Sequence, residues 1–199
     1  MEIYQPAEDS YLLSKILKKE ISEKSHSTTP NIEQLKESPN LIKENSNLKF
    51  LEIGSGSGIL LETAKKLGIK QEHIFAVDIN QKAVEHCKAL GFQCTYSNLF
   101  ENIEGKYNLI IFNPPYLPKD EKEPVDSQLA TTGGKQGSEI INKFLKQAKN
   151  YLKENGKIFL LTSSLTKGID FKKLGYKEKE IGCEKLFMER IYVWKLIIS

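Results

Sequence analysis

The chain has 199 residues, 39% hydrophobic and 28% charged, a balance that excludes a disordered polymer and predicts one soluble domain with a full core. Its net charge is only +3, and Arg190 is the sole arginine among 29 basic residues, so no dense basic block supports a nucleic-acid partner. Bilayer-length apolar runs and a basic-then-apolar leader are absent, and Cys87, Cys94 and Cys183 form neither a disulfide framework nor a zinc motif, which predicts a reducing cytoplasm, no membrane and no metal.

In DSYLLSKILKKEI, apolar residues at 12, 13, 16, 17 and 21 make a helical stripe, with Asp9 or Ser10 as the N-cap. Residues 22–47 are rich in Ser, Lys, Asn, Glu and Thr, hold Pro30 and Pro39, and read as a flexible insertion with a short helix near 31–37. Strand LKFLEI (48–53) then leads to helix GILLETAKKLG (58–68), and strand HIFAVD (73–78) to helix QKAVEHCKALG (81–91), each helix stopped by glycine. Strands FQCTYS (92–97) and YNLIIFN (107–113) follow. A helix at about 138–154, strand GKIFLLTSS (156–164), a short helix near 167–174 and strands at roughly 176–184 and 190–198 complete the chain. Strands alternating with helices of this length predict a doubly wound α/β fold. Its seven-stranded sheet is mostly parallel and closes in an antiparallel C-terminal hairpin.

The loop LEIGSGSG carries Gly54, Gly56 and Gly58 at alternate positions between a strand and a helix, which lets backbone turn tightly and a ligand approach closely. Its spacing differs from the G-x-G-x-x-G of a dinucleotide site, and Glu52 two residues earlier would repel phosphate. A carboxylate there suits S-adenosylmethionine, which carries a sulfonium and an ammonium and no phosphate. Asp78 ends the next strand about twenty residues later, where a carboxylate accepts hydrogen bonds from a ribose diol; its alternative is the N-cap of the following helix.

The stretch YNLIIFNPPYLP runs an apolar strand into Asn113, and Pro114 and Pro115 then stiffen the exit. The plain alternative is a proline-terminated strand with asparagine in a turn. The chemical reading is a clamp. Asn113 Oδ1 and the Pro114 carbonyl accept the two N–H bonds of a planar NH₂ group, Tyr116 stacks on it, and the prolines hold the loop in place. Glutamine amide, adenine N6 and guanine N2 all fit such a clamp. Gly133, Gly134 and Gly137 in LATTGGKQGSE predict a hinge for a loop that closes over substrate, against a merely flexible loop.

In this order YQPAEDSYLL (4–13), LEIGSGSG (51–58), NPPYLP (113–118) and TTGGKQGSEIINKFL (131–145) resemble the HemK2/Mtq2 branch of the HemK family. Those are class I methyltransferases with a Rossmann-like fold. They use S-adenosylmethionine to modify the glutamine of the Gly-Gly-Gln motif in class I peptide release factors. The likeness covers nearly the whole chain apart from 22–47; NPPY alone is shared with nucleic-acid amino-methyltransferases, and PAEDSYLL points to this branch. The resemblance implies that Ser10, Glu52, Gly54 and Asp78 line the cofactor, that Asn98 and Leu99 sit near adenine, and that Asn113 faces both cofactor and substrate. Asn98 departs from the family's aspartate, though an amide oxygen still accepts from adenine N6. Ser10 has a helix cap as its alternative.

The strand FQCTYS carries no charge and no proline, and the class I strand order puts it at a sheet edge, a template for strand addition. The resemblance implies a small zinc-binding activator, Trm112-like, paired there; the rival is cover by residues 22–47. The leading expectation is glutamine N5-methylation of a release factor. Amino-methylation of nucleic acid and a non-enzymatic cofactor-binding scaffold are the alternatives, and the intact clamp argues against the scaffold.

Overall fold

The computed structural model describes residues 3–22, 45–120, 124, 128 and 131–199. Most of the expected insertion, with the helix near 31–37, lies outside the described residues. Helix α1 (Glu8–Ser22) precedes strand β1 (Phe50–Ile53), helix α2 (Ile59–Lys66), strand β2 (Ile74–Asp78), helix α3 (Gln81–Ala89) and strand β3 (Gln93–Tyr96). Strand β4 (Tyr107–Phe112), helix α4 (Glu139–Ala148) and strands β5 (Leu152–Ser163), β6 (Tyr176–Lys185) and β7 (Arg190–Ile198) follow. They build one seven-stranded sheet in the order β3-β2-β1-β4-β5-β7-β6. The β1–β2, β1–β4, β2–β3 and β4–β5 pairs are parallel, whereas β7 runs antiparallel to both β5 and β6. The doubly wound sheet with its closing hairpin is as expected.

Alternation along the central strands divides the core in two. Phe50, Leu109, Ile111, Phe159 and Leu161 face the apolar stripes of α1, α2 and α3. Leu51, Ile53, Ile110, Phe112, Ile158 and Leu160 face α4 on the other side, where Phe100 stacks with Phe144 and Tyr151. Glu52 has the parity of Phe50, so its carboxyl points toward the α1–α3 face. The strip of α1 that packs here includes Leu12, Leu13, Ile16 and Leu17, all buried. The helix is further tied by a Ser14–Thr63 hydroxyl bond of 2.9 Å to α2 and a 2.7 Å Glu20–Lys195 ion pair to β7.

Three local expectations are corrected. Asp9 and Ser10 lie within the first turn of α1 rather than capping it, because the helix starts at Glu8 and Ala7 O already accepts from Tyr11 N at 3.0 Å. The helix expected to reach 154 ends at Ala148. One 3₁₀ turn, Lys149–Tyr151, then feeds β5, whose start is irregular where Asn155 takes a left-handed backbone beside Gly156. Residues 167–174 form no helix. Asp170 Oδ1 caps Lys173 N at 2.9 Å and Asp170 O accepts one bond from Leu174 N, but Gly175 N and Tyr176 N close the turn at once.

No described helix is long and apolar enough to cross a membrane. Replacing Leu17, fully buried between α1 and the sheet, with Ala should lower stability by about 2–5 kcal/mol. Urea unfolding followed by circular dichroism should show a lower midpoint with an unchanged slope.

Candidate active site

Strands β1, β2 and β4 run parallel, so their carboxyl ends open on one side of the sheet. There the loops after them enclose a cavity of about 750 Å³, within the range of small-molecule sites. After β1 the backbone turns sharply: Gly54 N and Ser55 N donate to Val77 O at 2.8 and 3.1 Å. Gly56 sits at φ 47°, and a Cβ there would lie 3.7 Å from Tyr4 O, so the N-terminal segment crosses directly over the glycine loop.

Ser10, Glu52, Gly54, Gly56, Asp78, Asn98, Leu99, Asn113, Pro114 and Pro115 all line this cavity. Gly58 and Tyr116 do not. Gly58 instead starts α2, where its missing side chain admits Leu90 and Cys87 of the α3 region, a packing role for the third glycine. Tyr116 is half-buried against both halves of the core, and its carbonyl accepts from Thr166 Oγ1 at 2.9 Å. Burial first, then the nearby Asp9 and Glu189 carboxylates, push its phenol upward.

Asp78 is not the cap of α3; Asn80 is, accepting from Lys82 N at 3.1 Å. Asp78 Oδ2 accepts from Gly56 N at 2.9 Å and Ser55 Oγ at 3.4 Å, while Oδ1 accepts from Asn80 N at 2.8 Å. The carboxylate thus braces the glycine loop and keeps one acceptor site in hand, since it has about four. Asn98 commits its NH₂ end to Glu101 Oε1 at 3.0 Å. Leu99 adopts φ 57°, a costly backbone for leucine, held by Ser97 Oγ donating to Leu99 O at 2.9 Å and accepting from Asn102 N at 3.0 Å.

Among the described residues, Asp9, Glu52 and Asp78 are the acids of the cavity wall, against one lysine, Lys82. Glu52 is 2% exposed, its Oε2 has no hydrogen-bond partner among the described residues, and burial, with Cys87 and Asp78 adding to it, holds its carboxyl well above the usual range. Such a wall disfavours phosphate and favours a ligand that carries positive charge.

Across the cavity, Asn113 follows β4. Its Nδ2 donates to Asp9 Oδ2 at 3.0 Å, and its Oδ1 is buried with no partner among the described residues. The segment beyond it is braced from behind. Leu117 N donates to Thr131 O and Gly133 N to Leu117 O, each at 2.9 Å, and Lys119 N donates to Gly134 O at 2.8 Å. A Cβ at Gly133 would collide with the carbonyl oxygens of Gly137 and Pro115. The glycine-rich loop is therefore a close-fitting support for the NPPY segment in this state. Asp9, Tyr4, Ser55 and Ser97 are the site residues that sequence reasoning passed over. Asp9 and Ser55 bond to segments far off in the chain, at Asn113 and Asp78, while Tyr4 and Ser97 bond locally, to Asp9 and to Leu99 and Asn102, in patterns that carry no motif.

Residues 38–175 match the model of the methyltransferase small domain. A provisionally named protein N5-glutamine methyltransferase of Methanocaldococcus jannaschii is 37% identical over 210 residues, 98% of this chain and 93% of its own. The release factor glutamine methyltransferase of Lactococcus lactis is 28% identical over 189 residues, 87% of this chain, and the chain spans 64% of that protein's length. In fold, the chain is similar to the E. cuniculi Mtq2–Trm112 complex responsible for methylation of the eRF1 termination factor, with a TM-score of 0.67 at 22% identity over 100% of both chains. The chain belongs to the methyltransferase small domain family, and within it groups with the protein N5-glutamine methyltransferase relative at 37% identity.

Proposed function

We propose that this chain methylates, from S-adenosylmethionine, the side-chain nitrogen of the glutamine in the Gly-Gly-Gln motif of a class I peptide release factor. One observation carries the reading. In the wall of the acid-lined cavity, two buried oxygens, Glu52 Oε2 and Asn113 Oδ1, have no partner among the described residues. The first calls for a cationic ligand and the second for an N–H donor, and an unmet buried acceptor costs about 1–3 kcal/mol. A sulfonium cofactor beside a planar amide meets both demands.

When bound, the cofactor supplies an electrophilic methyl group. Glu52 holds its cationic amino-acid end, Gly54 and Gly56 let it approach the backbone, and Ser10 completes that wall. Asp78 would take one ribose hydroxyl at its remaining acceptor site, and Asn98 and Leu99 would line the adenine end. On the other side Asn113 Oδ1 and the Pro114 carbonyl accept the substrate's two N–H bonds, which draws the nitrogen lone pair out of the amide plane. That grip tightens as the nitrogen pyramidalises, so it lowers the barrier rather than merely binding. Because Oδ1 is closed off from water, substrate entry opens the wall around it. Pro115 keeps the clamp rigid, and Tyr116 acts from behind it by packing or turns its ring inward on substrate binding. The translational substrate sets this work in the cytoplasm.

A small zinc-binding, Trm112-like activator completes the assembly by pairing with β3. That strand is the sheet's edge and exposes Gln93, Thr95 and Tyr96. Co-expression with such a protein should give a heterodimer with higher activity. A chain that is monodisperse, soluble and fully active alone would count against it.

Labelled methyl groups should appear in release factor but not in its Gln→Ala variant or in an adenine-containing oligonucleotide. In the same assay Asn113→Ala should lose turnover by about 10²-fold or more while cofactor affinity stays within a few-fold; undiminished turnover would refute the clamp.

Glu52 provides a pH test. A carboxyl raised above its ordinary value of 4.5 contributes stability that is complete at pH below that value and lost as pH rises through the folded-state value. Without cofactor, Glu52→Gln should therefore match the wild type at pH 4 and exceed it at pH 8, each kcal/mol appearing as about 2–4 °C in Tm. The same variant should bind S-adenosylmethionine at least about tenfold more weakly by calorimetry, the loss of one charged hydrogen-bond partner.

A further inference from the structure

Among the described acids of the cavity wall, Asp9 is the one that the proposed chemistry leaves without a task. It is 5% exposed and takes part in four hydrogen bonds from neutral donors. Its Oδ1 accepts from Ser10 N at 2.6 Å and Ser10 Oγ at 3.2 Å; its Oδ2 accepts from Tyr4 OH at 3.2 Å and Asn113 Nδ2 at 3.0 Å. We infer that Asp9 is a positioning residue that decides which end of the Asn113 carboxamide is offered to the substrate. The inference rests on the reading of Asn113 as the group that grips an amide.

The argument is one of hydrogen-bond polarity. A carboxylate only accepts, whereas a carboxamide carries a donor end and an acceptor end of nearly equal size. Facing Asp9, Asn113 can present only its NH₂; turned over, it would set one oxygen against another at hydrogen-bond distance. The opposite end is then always Oδ1, the buried oxygen without a partner. A serine or amide at position 9 would bond either end and leave the carboxamide divided between two orientations, one of which offers N–H to an N–H substrate.

The rest of the network holds Asp9 still. Two donors from Ser10 fix one carboxylate oxygen, and Tyr4 OH shares the other. Tyr4 in turn is pushed upward by burial and by Asp9, so its phenol remains a donor across the working pH range. Asp9 lies in the first turn of α1, where backbone N–H groups lack helical partners and favour a carboxylate. Because α1 is anchored to the sheet through its buried stripe, the orientation of Asn113 is set from a segment 104 residues away.

The test is Asp9→Asn, which preserves size and removes the acceptor-only character. Turnover on release factor should fall about 10- to 100-fold, as for a misaligned catalytic group. KM for the protein substrate and the Kd for S-adenosylmethionine should stay within about threefold, the residual expected when binding contacts are retained. In parallel, the Asn113 side-chain NH₂ protons, assigned by their loss in Asn113→Ala, should exchange slowly with water in the ligand-free wild type and quickly in Asp9→Asn. Wild-type turnover in the variant would overturn the inference, as would a parallel loss of cofactor affinity, which would make Asp9 a cofactor ligand. Fast exchange in the wild type would overturn it whether or not the variant folds. The exchange measurement needs no substrate, so absence of glutamine transfer in the wild type would sink the proposed function while this readout still judged the orientation.

Discussion

The reversal of strand order at β1 is the constraint from which the site follows. With β2 on one side of β1 and β4 on the other, the connection after β1 leaves over the α1–α3 face while the one after β4 leads to α4. Adjacent loops are thereby drawn apart, and a crevice opens above the carboxyl ends of the strands. The glycine loop, Asp78 and Asn113 come from three such ends. None of them needs a special local fold to face the others; the parallel registers β1–β2 and β1–β4 bring them level.

What that crevice can bind is then a matter of charge and unmet polarity. A loop built only for phosphate would present backbone N–H groups with few acids nearby. Here the N–H of Gly56 is taken by Asp78, and Glu52 sits beneath with an oxygen unpaired. Ionising Glu52 in that place is unfavourable until a cation arrives. The chain thus holds its binding energy for a positively charged ligand in a form that the sheet parity of β1 makes unavoidable, because residue 52 must point the same way as Phe50.

The architecture was legible because its signals are local. Strand runs, glycine stops and proline exits each act within a few residues, and all seven strands were recognised from them. The misses have two causes, tertiary packing and an early glycine stop. Residues 149–151 carry helical pattern, but Tyr151 stacks on Phe100 at 4.5 Å and the chain is drawn into β5. The pattern at 167–174 supports one turn before Gly175 ends it. At the site, the residues of the sequence-local motifs line one cavity, except Gly58 and Tyr116, which pack against the core. Asp9 was visible as an acid at the start of a helix, yet no spacing rule pairs position 9 with position 113.

That pairing explains why a helix ahead of the first strand belongs to the site at all. The NPPY segment is rigid in its backbone, through two prolines and the hydrogen bonds of the 131–139 loop, but neither device controls the rotation of an asparagine side chain. Backbone stiffness places Cβ; only a partner with fixed polarity decides between oxygen and nitrogen. A residue from the same loop would move with the loop and supply a weaker reference. A carboxylate carried on α1, whose buried face is packed against α2 and the sheet, supplies one that is independent of the clamp itself.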